Sequence, residues 1–266
     1  ASGRMAHPSR ALELLLAEDG PQTTLLAREL WDLNMERRSV EQQVTAEAIA
    51  IIEASPAHVR DAHALVVAGE GWHEGVVGIV ASRLVERFGR PAIVVTIAET
   101  GAKGAGRSLP GVDLHQLVGA ASGRLERWGG HAGAIGLQLA ADDIHHFRAE
   151  LTLAAAAVST SIDRARVRSV DAVVGLRDLS LASAEAFDAM QPFGTGNPDI
   201  RLVVPGALLE HAGTVGKDSQ HLQVRFRAGA VHARAMGWRM GSRAAQMPVG
   251  EHVDAVVQLG IERWQD

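Results

Sequence analysis

The 266-residue chain contains no cysteine, which excludes disulfides and thiolate-bound metals. No apolar run approaches the ~18 residues of a membrane-spanning helix, and no signal peptide is visible. The cytoplasm is therefore the expected location, with no membrane partner. The chain also lacks the cluster of carboxylates and histidines that holds two divalent ions and an activated water. Its acid-rich stretches read as helix caps and solvated faces. Net positive charge is missing too: the formal charge is −5, which does not advertise nucleic-acid binding, although distribution matters more than the total. Against these absences stand 47% apolar and 21% charged residues, the balance of a globular protein. The length suggests two domains, each with a sizeable core.

Glycine is concentrated between Gly101 and Gly136, in two segments. The first, Gly101-Ala102-Lys103-Gly104-Ala105-Gly106-Arg107-Ser108-Leu109-Pro110, leaves Lys103, Arg107 and Ser108 as its polar heads. The second, Gly129-Gly130-His131-Ala132-Gly133-Ala134-Ile135-Gly136, leaves His131. Two readings stand for such segments. Bare N–H groups beside an Arg or Lys form a place for an anion, usually a phosphate, which Arg can grip with two parallel hydrogen bonds. Alternatively the glycines serve tight turns and close packing.

Around these segments the chain reads as alternating elements. Residues 11–16 form a short helix stopped by Asp19-Gly20-Pro21. From Thr23 to Ala54, apolar residues recur at three- and four-residue steps, with Arg37 as the exception, which predicts one long helix. Residues 64–68 and 92–97 are buried strands, and the helix between them, Gly75 to Phe88, makes a βαβ unit with a partly parallel sheet. Asp113 caps a helix through Ala121, and Asp142 to Val158 forms an amphipathic helix. Within it, Asp142-Asp143-Ile144-His145-His146 has the composition of a metal cluster. However, acids suit a first helical turn, and adjacent histidines are not the i, i+4 pair that binds one metal. No metal ligands are assigned.

After a polar linker, Ser159 to Arg166, come five short strands: 168–176, 201–210, 221–227, 230–236 and 252–259, with a helix over 181–190. This pattern predicts an OB-type barrel. From Arg201 to Arg243, seven basic residues stand against two acids. Period two places His221, Gln223, Arg225 and Arg227 on one face of the third strand, and His232 and Arg234 on one face of the fourth. An Arg- and His-bearing face of this kind suits a single nucleic-acid strand. Phe226 falls on the core side. Trp238 and Phe193 read as base stackers or as packing residues.

The two glycine segments, together with Gly71-Trp72-His73-Glu74-Gly75-Val76-Val77-Gly78-Ile79-Val80-Ala81-Ser82-Arg83-Leu84 and Gln191-Pro192-Phe193-Gly194-Thr195-Gly196-Asn197-Pro198, resemble the DHH-associated portion of the RecJ family, bacterial single-strand-specific 5′→3′ DNA exonucleases. The resemblance runs from Ala1-Ser2-Gly3-Arg4-Met5 to about Gln258. It implies an α/β DHH-associated domain followed by an all-β OB-type barrel, joined to a long N-terminal connecting helix. The implied boundaries are 1–22 for the end of a preceding DHH domain, 23–58 for the connecting helix, 59–160 for the DHH-associated domain and 161–266 for the OB domain. A chain that opens inside a family motif is expected to be a fragment, and one that ends at Ile261-Glu262-Arg263-Trp264-Gln265-Asp266 is expected to stop in mid-strand.

The resemblance also implies residue roles. Arg107 and Arg4 would meet a DNA 5′ phosphate, with Gly106 and Ser108 in the same segment. Ala105 stands where relatives often carry a serine, which removes one hydroxyl donor from that pocket. His131, after Gly129 and Gly130, would face the scissile phosphate as the catalytic residue contributed by this chain. Trp72 and His73 would line or support the same cleft. Arg225, Arg227 and Arg234 would hold the incoming strand. Manganese or magnesium would be bound by the upstream domain, with no cofactor in this portion. The expected partners are single-stranded DNA and other repair proteins such as single-strand-binding protein, with the chain a monomer. The alternatives are a DHH phosphodiesterase of short oligonucleotides, a non-catalytic single-strand-binding module, and the tail of an alanyl-tRNA synthetase. A long groove argues against the first. The missing zinc ligands and the barrel argue against the last.

Overall fold

A computed structural model describes residues 2–99, 101–167, 169–194 and 196–261. The chain divides into two compact units, 1–167 and 168–266. In order, the first unit contains α1 (Ser2–Met5), α2 (Ser9–Leu16), α3 (Pro21–Ala54), α4 (Ala57–Arg60), β1 (Leu65–Glu70), α5 (Glu74–Phe88), β2 (Ala92–Ala98), β3 (Gly101–Arg107), α6 (Leu114–Ala120), β4 (Leu125–His131), β5 (Ala134–Leu139), α7 (Ile144–Ala157) and α8 (Ser159–Arg166). The second contains β6 (Ala172–Val173), α9 (Leu181–Asp188), β7 (Leu202–Val215), β8 (His221–Ala228), β9 (Val231–Gly237) and β10 (His252–Val257).

The first sheet runs β1-β2-β3-β5-β4. β1 and β2 are parallel, as a βαβ crossover through α5 requires, and every other pairing is antiparallel. α5 begins at His73, whose Nδ1 accepts the Gly75 N–H at 3.0 Å, and ends at Gly89 in the left-handed region. The apolar stripe of α3, including Val44, Ala48 and Ile52, packs with Val76, Val80 and Leu84 of α5 on one face of β1 and β2. Arg37, the break in that stripe, pairs with Glu41, and Glu41 also accepts from Arg83 of α5 at 3.1 Å. A carboxylate only 8% exposed is thus held between two guanidinium groups and ties the two helices together.

The opposite face packs on α6 and α7 through Leu114, Val118, Phe147 and Leu151. Residues 159–166 correct the linker expectation: they form helix α8, because Ile162, buried completely, completes this core. The segment looks polar because a single side chain anchors it.

In the second unit the sheet order is β10-β7-β8-β9, with β6 parallel to the start of β7. Leu209, Leu222, Val224 and Phe226 form its core with Leu176 and Val204. The expected barrel does not close among the described residues: β9 and β10 occupy opposite edges without pairing, and β6 is two residues long. Arg168, Thr195 and the expected strand at 262–266 lie outside the described residues. Asn197, from the Gly-rich loop, donates its side-chain amide to the carbonyls of Met190 and Pro192, so it secures the loop itself.

Ile162→Ala should destabilise the first unit by about 2–5 kcal/mol. A calorimetric melt should show that unit's transition falling while the second unit's stays in place. An unchanged melt would mean that α8 does not dock.

Candidate nucleic-acid interface

The strand register gathers the glycine segments into one surface. Arg107 pairs with Ala134, which pairs with His131. One step along, Ala105 pairs with Gly136 and Gly136 with Gly129; the next row is Lys103, Gln138 and Arg127. Directly paired residues project from the same face. That face is covered by α5 as far as β3, and beyond it the floor is open. A Cβ on Gly129 or Gly136 would meet no atom within 4 Å. The resulting groove, about 520 Å³, is lined by Glu74, Val77, Lys103, Ala105, Gly129 and Gly136. Two strand spacings separate Arg107 from His131, about 10 Å between backbones.

The other alternate positions of β3 face the core, and there glycine serves packing. A Cβ on Gly104 would lie 2.9 Å from Leu137 Cδ1, and one on Gly106 2.9 Å from Leu114 Cδ2. Gly106 thus faces the core, where no side chain could be accommodated. Its carbonyl still orients the site by accepting Arg107 Nη1 at 2.7 Å.

Arg107 and Arg4 converge on the first two turns of α5. Arg107 Nη2 lies 3.0 Å from where a Gly78 side chain would begin. Arg4 donates to the Gly75 carbonyl at 3.2 Å, and a Cβ on Gly75 would overlap the Arg4 carbonyl oxygen at 1.9 Å. The two glycines, three residues apart, share a helix face and make room for both arginines. Burial lowers the Arg107 pKa, and the nearby positive charge of Arg4 lowers it further. Neither arginine has an ion-pair partner among the described residues. Two crowded, partnerless guanidinium groups beside a helix N-terminus favour an anion.

His131 is exposed at the end of β4, and its Nδ1 accepts the Gly133 N–H at 3.2 Å. A neutral imidazole so held carries its proton on Nε2, which is left as a donor. Gly130 makes this hairpin possible: its φ is 149°, and a Cβ there would lie 2.2 Å from the Ala134 carbonyl oxygen. The Ser108 hydroxyl donates to Val112 O at 2.9 Å, so its proton is committed to its own loop. Of the two roles expected of Trp72, lining or supporting the cleft, its burial suits only support. Trp72 is 6% exposed, packs in the α3–α5 core and donates Nε1–H to Glu47 at 2.8 Å. His73 is exposed and serves as the cap of α5. Arg127, Gln138 and the Lys103–Glu74 pair at 2.9 Å were not singled out as site residues in the sequence. Recognising β4 as a strand would have revealed Arg127, whereas Gln138 lies on β5.

In the second unit, Arg225 lies directly opposite Arg234, and His211 opposite Arg225 on the other side. Like charges placed opposite one another repel, and neither arginine has an ion-pair partner among the described residues. Arg227 differs. It donates to Glu210 at 2.7 Å, and His232 meets the other carboxylate oxygen at 3.0 Å. Burial opposes ionisation of Glu210, but the bonds from His232 and Arg227 outweigh it and hold its pKa below the ordinary value. Arg227 therefore shares its charge with a carboxylate of the neighbouring strand.

No group of three His, Cys, Asp or Glu residues that could hold a metal occurs among the described residues. His145 and His146 stack on each other, ring centroids 4.1 Å apart. The residues here do not fit the two-ion cluster of a metal-dependent hydrolase.

Comparison with known proteins matches residues 61–157 to the DHHA1 domain and residues 170–266 to the RecJ OB domain. The whole chain aligns at 34% identity with the single-stranded-DNA-specific exonuclease RecJ of Bacillus subtilis. The chain carries the DHHA1 and OB domains of a RecJ C-terminal portion. The Thermus thermophilus RecJ is 29% identical over 92% of the chain. The crystal structure of that RecJ with Mg2+ superposes with a TM-score of 0.77, covering 99% of this chain and 39% of the other, at 28% identity. A Mn2+ complex gives a TM-score of 0.70 at 25% identity. The chain spans 34% of the length of both the Bacillus and Thermus relatives. Both domains and the long α3 helix agree with the RecJ architecture.

Gly130→Ala should break the end of the β4–β5 pairing at a cost of about 1–3 kcal/mol. Faster amide exchange at Ala134 and Ile135, with β1 and β2 unaffected, would register it. Unchanged exchange would mean that the hairpin tolerates a side chain there.

Proposed function

We propose that this chain is the strand-holding portion of a metal-dependent, single-strand-specific 5′→3′ DNA exonuclease. The observation that carries the reading is the convergence of a partly buried Arg107 and an exposed Arg4, neither paired with a carboxylate among the described residues, at one end of an open glycine-floored groove. A 5′-terminal phosphate would relieve both the desolvation and the mutual repulsion, and Arg107 can offer it two N–H groups. His131 Nε2–H, in the same row two strands from Arg107, would donate to an oxygen of the next phosphate and hold it for attack. The Arg225–Arg234 row of the second unit would take phosphates of a single strand independently of its end group.

The Mg2+ or Mn2+ found with the Thermus protein would supply the activated water and stabilise the leaving oxygen. Its ligands would come from outside these residues, so this chain alone should bind DNA without cutting it. DNA repair and recombination fit the family, and single-strand-binding protein is a fitting partner.

Binding of the chain to a fluorescent oligodeoxynucleotide, with and without a 5′ phosphate, tests the end pocket. The phosphorylated end should bind more tightly, and Arg107→Ala should erase the difference while leaving the fold intact. Equal affinity for both ends in both proteins would overturn the assignment. Replacing Arg225 and Arg234 together by Ala should weaken binding whichever end is used. It should also make the slope of log K against log salt shallower by about 1.4, two single-strand phosphate contacts' worth. An unchanged slope would remove that row from the interface.

A further inference from the structure

Trp238 is 68% exposed, yet it is not loose. It follows Gly237, the last residue of β9, and its indole meets the His221 ring edge-on, with centroids 4.9 Å apart and planes at 79°. His221 is itself fixed. Its Nδ1 accepts the Arg239 N–H at 2.9 Å. Its ring edge rests against Gly216, where a Cβ would come within 2.9 Å of Cδ2. Arg239 adopts φ 59°, a left-handed conformation unusual for a residue with a side chain. A strained turn, a bare glycine and an anchored imidazole thus hold one large apolar ring out in solvent. Burying that ring would have been the favoured outcome for its own sake.

Its position gives the arrangement a purpose. Arg225 pairs with Arg234 and Gln223 with Met236, so these residues share one face, and His221 lies two further along it. The Trp238–His221 pair therefore continues the face that carries the free arginines, about 13 Å from Arg234 along β9. Between them, Gln223 and Met236 are half-buried and carry no charge.

We propose that Trp238 is a base-stacking platform, positioned by His221, that takes one unpaired nucleobase of a strand whose phosphates lie on Arg225 and Arg234. This deepens the strand-holding reading of the second unit and rests on it. Every base has a π face, so the platform should be indifferent to sequence. It also requires an unpaired base, which a duplex does not present.

Stacking and charge pairing separate by salt. Trp238→Ala should weaken binding of an unphosphorylated oligodeoxynucleotide about 5- to 150-fold, the range of one lost base–aromatic stack, with the salt slope unchanged. Trp238→Phe should keep most of the affinity and abolish the tryptophan fluorescence quenching that accompanies binding. The Trp238→Ala defect should vanish on an abasic oligomer of equal length, which keeps the phosphates and removes the bases. His221→Ala should give a smaller defect that also vanishes on the abasic oligomer. Wild-type affinity in Trp238→Ala, with the Arg225 and Arg234 slope effect intact, would overturn the platform and leave the groove. A defect that persists on the abasic oligomer, or a shallower slope, would overturn stacking in favour of an altered sheet. Absence of salt-dependent binding in the wild type would overturn both.

Discussion

The antiparallel pairing of β3 with β5, and of β5 with β4, is the constraint on which the first unit's surface depends. It turns two segments about twenty-five residues apart into three aligned rows. Alternation then assigns opposite duties to neighbouring residues of one strand. Gly104 and Gly106 face inward, where Leu137 and Leu114 leave no room for a Cβ. Lys103, Ala105 and Arg107 face the groove. The floor they adjoin stays bare because Gly136 and Gly129 contribute no side chain to it. On one face of the sheet the glycines serve packing; on the other they leave the floor bare, which is the room that the proposed ligand would need.

A net charge of −5 coexists with two cationic surfaces because the acids are distributed unevenly. Glu74 answers Lys103, and Glu210 answers Arg227 and His232. Arg107, Arg4, Arg225 and Arg234 have no such answer among the described residues. Each of these cations also sits near another, Arg107 near Arg4 and Arg225 opposite Arg234. Repulsion kept in the folded state is released when an anion binds, so these pairs spend some stability to favour a ligand.

Much of the architecture was legible in advance. The three- and four-residue spacing of Leu26, Leu30, Leu33, Val40, Val44, Ala48 and Ile51 predicted α3, although the residue buried at its end is Ile52 and Ile51 is exposed; the Asp113 cap was readable from its sequence, with Asp113 Oδ1 accepting from Gln116 N at 3.1 Å. The period-two pattern of residues 221–227 placed Leu222, Val224 and Phe226 inward correctly. Four elements escaped: the single-turn helices α1 and α4, and also β4 and α8. β4, Leu-Glu-Arg-Trp-Gly-Gly-His, is an edge strand with one face open, so it lacks the apolar alternation that marks a strand. α8 carries a single core residue, Ile162, too few to register as a stripe. The local sequence could not choose between the lining and supporting roles of Trp72 for a related reason: Gly69, whose Cβ would lie 2.2 Å from the indole, opens the pocket that buries it, and nothing local announces that fit.

The sequence by itself determined the elements, the buried face of each and the inventory of polar groups, because burial leaves a periodic imprint within a single segment. Tertiary structure alone decided which cations remain unpaired and which residues share a row. Those outcomes depend on partners remote in the chain. Glu74 reaches Lys103 from 29 residues away, and Glu210 reaches Arg227 from 17. It likewise decided that Trp238 stands outside the core, since the histidine that steadies it comes from the neighbouring strand. Periodicity records what one segment buries; only the folded chain brings together the groups that set charge and shape at a binding surface.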